Sequence, residues 1–203
     1  IDPQGLINIE NYPFSIDFWI VENNKFHYFA KNENITQKYH PNINSIETIH
    51  KFDKLSINNS TFFRTFPNKQ NIIFNDSKIK NESNSEVSFS FFISIRPYDI
   101  EGITNLKKIQ YLQSNAFIVN DKLSLCLNKQ PDNILCLPFS QGDVSQFHDK
   151  LQMIFQVNCK EKKASALAEY KYVLKPGEST ILSFKCPFTK NKVKKHFINF
   201  IPN

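Results

Sequence analysis

The stretch VSFSFFISIRPYDIEG, residues 87–102, decides the fold. Val87, Phe89, Phe91, Ile93 and Ile95 alternate with Ser88, Ser90 and Ser94, the period of a β-strand, and Phe92 interrupts the serine face. A strand this apolar on one face and this small on the other belongs inside a packed sheet, near its middle. It ends abruptly. Arg96 precedes Pro97 and is therefore pushed toward extended backbone, while Pro97 offers no donor to a ladder. Asp99 and Glu101 follow, and Gly102 permits a tight turn. One arginine and two acids thus gather at the mouth of a buried strand. That gathering is the most site-like local feature of the chain, and it is more often the pattern of a structural corner in which Arg96 ties down a loop.

Outward from this strand, the pattern repeats. Phe14, Ile16, Phe18 and Ile20 alternate with Asp17 and Trp19, and Glu22-Asn23-Asn24 turns the chain into Lys25–Ala30, a hairpin. Residues 31–50 are polar and weakly patterned and read as loop, with His40-Pro41-Asn42 breaking any helix. Residues 60–66 form a strand. Residues 71–74 and 78–81 read as two short strands parted by Asn75-Asp76. After Gly102, strands fall at 106–111, 116–119, 122–127 and 134–137, separated by turns at Asn120-Asp121 and Pro131-Asp132. Gly142 bends the loop 138–144, and residues 151–157 favour strand. Residues 164–174 alternate, Pro176-Gly177-Glu178 turns, and Thr180–Lys185 is the last clear strand. Short strands with turn signals every eight to twelve residues define an all-β fold, a large antiparallel β-sandwich. One domain over residues 8–189 is the simplest division, with a basic tail or linker at 190–203.

Composition narrows function. The chain has 203 residues, 40% of them hydrophobic, with 20 Phe against 4 Gly, a bias that an AT-rich genome produces. The net charge of +6 is spread thinly except in Lys190–Lys195 (KNKVKK), which reads as a solvated tail. Nucleic-acid binding would interleave cations and aromatics on one sheet face, and the central strand carries serine there, so no nucleic acid is expected. No run reaches the ~18 apolar residues of a membrane helix, and the first residues lack the pattern of a signal peptide. Cys126, Cys136, Cys159 and Cys186 are far apart without zinc spacing, and free thiols in a reducing, cytoplasmic setting are expected.

Candidates for chemistry are few. The 5 histidines, His27, His40, His50, His148 and His196, are scattered. No nucleophile elbow or phosphate loop is present, and no cofactor or metal is expected. Asp99, Glu101 and Asp143 are the loop acids that paired-carboxylate glycoside hydrolysis would use. Trp19, Tyr98 and Tyr111 are the aromatic platforms a sugar would stack on, if they are not core.

The order of several short motifs carries a resemblance. They are ISIRPYDIEGI at 93–103, IVNDKLSLCLNKQPD at 118–132, QGDV at 141–144 and ASALAEYKYVLKPGES at 164–179. The series resembles the N-terminal β-sandwich, or supersandwich, of bacterial glycogen-debranching-enzyme and glucoamylase-like glycoside hydrolases. There an RPY-x-x-EG corner precedes a hairpin, a GDv loop and a late L-x-PGE turn. Residues 12–20 fit the opening strand, residues 31–60 fit least, and alanines at 164–168 stand where the family has glycine.

The resemblance implies a domain that precedes an (α/α)6 barrel holding the catalytic acids, so these residues would not be a complete enzyme. The expected role is non-catalytic docking on that helical partner, in cis or in trans, with α-glucan as a candidate ligand. The expected functional edge is Arg96, Tyr98, Asp99, Glu101 and Gly102 with Gln141, Gly142 and Asp143. Arg96 would pair with Asp99, Glu101 or Asp143 and hold the loops. The alternatives are a free-standing carbohydrate-binding module, which needs an exposed aromatic row, and a small sandwich enzyme, which needs a His or carboxylate cluster.

Overall fold

The computed structural model describes residues 1–9, 12–67, 71–147, 149 and 152–188. The basic tail at 190–203, with His196, and His148 lie outside the described residues. In chain order the strands are β1 (Ile7–Asn8), β2 (Ser15–Glu22), β3 (Lys25–Tyr28), β4 (Ile35–His40), β5 (Ser45–Lys51), β6 (Leu55–Thr65), β7 (Asn71–Asn81), β8 (Val87–Arg96), β9 (Tyr98–Asp99), β10 (Gly102–Ile103), β11 (Lys108–Leu112), β12 (Ala116–Val119), β13 (Lys122–Leu127), β14 (Asn133–Leu137), β15 (Gln156–Asn158), β16 (Ser165–Leu174) and β17 (Ser179–Phe188). Only short 3₁₀ turns interrupt them among the described residues, and none of these helices is long and apolar enough to cross a membrane.

Two large antiparallel sheets form the sandwich. The first runs β1-β2-β8-β16-β14, with β3 also paired to β2, and places β8 between β2 and β16. The second has nine strands in the order β15-β11-β12-β13-β17-β7-β6-β5-β4. Their facing sides meet in one core. Ile16, Phe18 and Ile20 of β2, Phe91, Ile93 and Ile95 of β8, and Ala166, Ala168 and Tyr170 of β16 pack toward Ile57, Ile79, Leu182 and Phe184 of the second sheet. Phe18 stacks on Phe184 across the gap at 6.1 Å between ring centroids.

The serine face of β8 is exposed at Ser88 but buried from Phe92 to Ser94. Phe92 is fully buried there, with Trp19, Leu135, Leu137, Leu167 and Val144, in a second small core. The 3₁₀ turn 144–147 covers it by inserting Val144. Phe92 is therefore no interruption but the centre of this outer core. At about 2–3 kcal/mol for a buried Phe, it justifies its place.

Three expectations are corrected. Residues 31–50 are not loop: β4 and β5 form a hairpin through the 3₁₀ turn Pro41–Ile43 and left-handed Asn44. The inward residues of β5, Thr48 and His50, are polar yet buried, so no apolar alternation marks the strand. Gln37 reaches both Thr48 Oγ1 (3.0 Å) and the Asp2 carbonyl (2.8 Å), and His50 Nε2 lies 3.0 Å from the Gln4 carbonyl. The first residues of the chain thus roof this polar interior. Secondly, β7 runs unbroken through Asn75-Asp76. Asn75 is buried and donates to Thr61 Oγ1 (2.9 Å) while accepting from Ser77 Oγ (3.0 Å), which satisfies a residue that otherwise breaks strands. Thirdly, strand in the 151–157 region shrinks to β15.

Candidate functional site

The corner after β8 is built by register. On the outer face, Ser15 faces Arg96, Asp17 faces Ser94 and Trp19 faces Phe92. Arg96 therefore reaches Asp17 diagonally across two strands, a neighbour distance long side chains span. Its Nη1 lies 3.4 Å from Asp17 Oδ2 and its Nη2 lies 3.0 Å from Asp143 Oδ2. The guanidinium also sits over the Tyr98 ring at 4.9 Å and the Trp19 ring at 5.7 Å.

Asp17 is buried and heavily satisfied. It accepts the Phe18 N–H (2.8 Å) and the Trp19 Nε1–H (3.0 Å). Burial raises its carboxyl above the usual 3.8, against the pull of Trp19, Phe18 and Arg96. Burial also pushes the Asp143 carboxyl up, but the Ser145 N–H at 3.0 Å and the Arg96 charge outweigh it, and the net shift is downward. Burial opposes the Arg96 charge, and Asp143 and Asp17 overcome it, so that pKa is raised. The three groups form one clamp that pins the loop at Asp143 to strands β2 and β8.

The rest of the expected edge divides in two. Gln141 ends the 3₁₀ turn Phe139–Gln141, and Gly142 follows at φ +109°. That positive φ is what asks for glycine; a Cβ there would also stand 2.8 Å from Gln146 Oε1, the movable end of a side chain. On the other side, Tyr98–Asp99 and Gly102–Ile103 pair as a small hairpin. Asp99 Oδ1 accepts the Glu101 N–H at 2.8 Å, a local turn bond. Thr104 closes the hairpin base, donating its hydroxyl to the Pro13 carbonyl (2.6 Å) and its N–H to the Pro97 carbonyl (2.9 Å). The hairpin tip presents Ile100, 91% exposed, and Ile103, 60% exposed.

Arg96 and Asp143 are thus brought together, whereas Asp99 turns back on its own hairpin and Glu101 is exposed. Asp17 completes the clamp and was not among the expected site residues. Its signal was present: a lone acid inside the apolar run SIDFWI must find a partner if that strand is buried on both faces. Two aromatic platforms are corrected. Trp19 is fully buried and Tyr111 nearly so, and both are core; Tyr98 lies under Arg96. Among the described residues no group of three His, Cys, Asp or Glu side chains could hold a metal ion.

The fold and this corner define the class, an antiparallel β-sandwich with an ion-paired strand end. No protein-family description matches the sequence, and no curated protein is similar to it. Among solved structures, a provisionally named kojibiose phosphorylase from human microbiome is similar at 9% identity with a TM-score of 0.49. That likeness covers 90% of this chain and 24% of the other, so the chain spans about a quarter of that protein's length.

Proposed function

We propose that this chain is a non-catalytic β-sandwich domain of a glycogen-debranching- or glucoamylase-like glycoside hydrolase, working in the cytoplasm. It docks on and supports an (α/α)6 catalytic barrel that lies outside these residues. The order of the RPYDIEG corner, the QGDV loop and the LKPGES turn supports the family. One observation carries the role: Arg96 is neutralised from within by Asp17 and Asp143. Its charge holds a corner rather than a ligand, and the hairpin beyond that corner offers Ile100 and Ile103 to a partner. Two exposed isoleucines on a braced tip suit the apolar centre of a domain contact. The separate thiols at Cys126, Cys136, Cys159 and Cys186 fit a reducing compartment.

The test is the size of the native protein in its source cells, by immunoblot against this domain. A band several tens of kDa above 23.7 kDa, or co-purification with a helical glycoside hydrolase, is the expected result. A band at the size of this chain with no such partner in the immunoprecipitate overturns the proposal.

A further inference from the structure

The outer face of the nine-stranded sheet carries a different feature, far in register from the Arg96 corner and independent of the docking role. The pairing aligns Cys126 of β13, Lys185 of β17, Phe74 of β7 and Phe62 of β6 in one row. Phe62 and Phe74 stack in parallel, 5.1 Å between centroids at 3°. The Lys185 ammonium lies 5.6 Å from the Phe74 centroid, and the Arg64 guanidinium lies 5.2 Å from that of Phe62. Neither cation forms an ion pair with a carboxylate among the described residues. Beside this row a cleft of about 480 Å³ opens, walled by the turn at Ser114-Asn115 and by Asn128.

The donors in that wall share one bias. Asn115 spends its Oδ1 on the Tyr111 hydroxyl (3.0 Å), and Asn128 spends its Oδ1 on the Ser183 N–H (2.9 Å). Each keeps its NH₂ group as a donor. The buried Ser114 hydroxyl has no partner among the described residues. Two amide NH₂ groups, a hydroxyl and the Lys185 ammonium in the lining, with Arg64 over the Phe62 ring just outside it, ask for a ligand rich in acceptors, negatively charged, with a ring to stack. Asp76, one pair further along the same face beside Ser183, is the acceptor in the cleft and suits a ring hydroxyl.

We propose that this cleft binds a small phosphorylated ligand with a ring to stack, the flat base of a nucleotide or the C–H face of a sugar phosphate. The ring lies against Phe74 and Phe62, and the phosphate meets Lys185 in the lining and Arg64 at the rim beside Phe62. The proposal goes beyond the docking role. It concerns the other sheet and is read on this chain alone, so its failure leaves that reading standing.

Calorimetric titration of the chain at low salt tests it, with AMP, glucose 6-phosphate, inorganic phosphate and maltose as probes. AMP or glucose 6-phosphate should bind, and whichever does names the source. Inorganic phosphate should bind at least about tenfold more weakly, since it lacks the ring. Lys185→Met and Arg64→Gln should each weaken binding about tenfold or more, with thermal unfolding little changed because Arg64 is exposed and Lys185, half-buried, lies outside the core. Cys126 lines the same cleft and is the cysteine that is not fully buried. Burial pushes its thiol up to about 11, so its alkylation is slow, and bound ligand should slow it further. No heat from either phosphorylated probe at millimolar concentration overturns the proposal. So does maltose binding as well as glucose 6-phosphate, which would mark a neutral-glycan site, or unaltered binding in both cation variants.

Discussion

Replacing Arg96 with Met tests whether the corner is a clamp. Methionine keeps the stem and removes the charge, leaving Asp17, 4% exposed, with the Trp19 and Phe18 donors but no cation. Breaking a fully buried pair costs about 3–5 kcal/mol. The Arg96 and Asp143 side chains are 24% and 23% exposed, so water replaces part of what is lost, and the Asp143 arm is worth about 1 kcal/mol or less. The variant should therefore lose about 2–3 kcal/mol at pH 7, or about 4–12 °C in Tm for a domain of this size.

The loss must depend on pH. Asp17 has a raised folded pKa, so its contribution is fully present below 3.8 and is lost as pH rises through the folded value. Removing Arg96 raises that value further and deepens the loss at pH 7. Asp143 has a lowered folded pKa, so its contribution is present above 3.8 and fades as pH falls. Arg96 supplies part of that lowering, and its removal therefore costs most at pH 7. Both effects shrink the difference between the variant and the original chain at pH 4. The single Trp19 lies within the clamp, so guanidinium unfolding followed by its fluorescence reads both proteins at both pH values. Adding Asp17→Asn to the variant should recover most of the stability. Equal losses at pH 7 and pH 4, or no recovery from that second change, would refute the clamp.

Phe92→Ala should cost about 3–5 kcal/mol in urea unfolding, because it empties the centre of the outer core; a cost below about 0.5 kcal/mol would mean that face is solvated. Burial lowers the His50 imidazole to about 4, against the Gln4 carbonyl. Its contribution is complete above 6.5 and is lost as pH falls toward 4, by at most about 3 kcal/mol. His50→Gln should flatten that limb of the stability–pH curve, and an unchanged curve would show that another group titrates there.

The sequence made some of this legible and hid the rest for physical reasons. The alternation of Val87–Ile95 placed β8 in the sheet interior, and the Pro97–Gly102 punctuation placed the hairpin after it. Arg96 with Asp143 was within reach of the loop pattern. Asp17 was hidden because it is a charge inside a strand and its partners, Arg96 and Trp19, are fixed only by strand register. β4 and β5 escaped because hydrophobic period is the signal for strands, and here the buried positions are Ser45, Thr48 and His50. His50 is tolerated inside because the Gln4 carbonyl, 46 positions away, lies against its Nε2, and Thr48 because Gln37, itself held by the Asp2 carbonyl, donates to it. Asn75 hid the continuity of β7 in the same way. A polar residue satisfied by a distant partner looks, in one dimension, like a turn.

The last two strands have a consequence for how the molecule is made. β16 sits between β8 and β14 in one sheet, and β17 sits between β13 and β7 in the other. Neither sheet is continuous without residues 165–188. During synthesis the hairpins of β4 to β7 and β11 to β13 can form as they emerge, but each waits with an open edge. The ribosome must release nearly all of the described chain before the domain can close, and pairings this distant in sequence close slowly. A ribosome stalled before residue 165 would hold two half-sheets with bare edges, the form in which a chaperone would meet this protein.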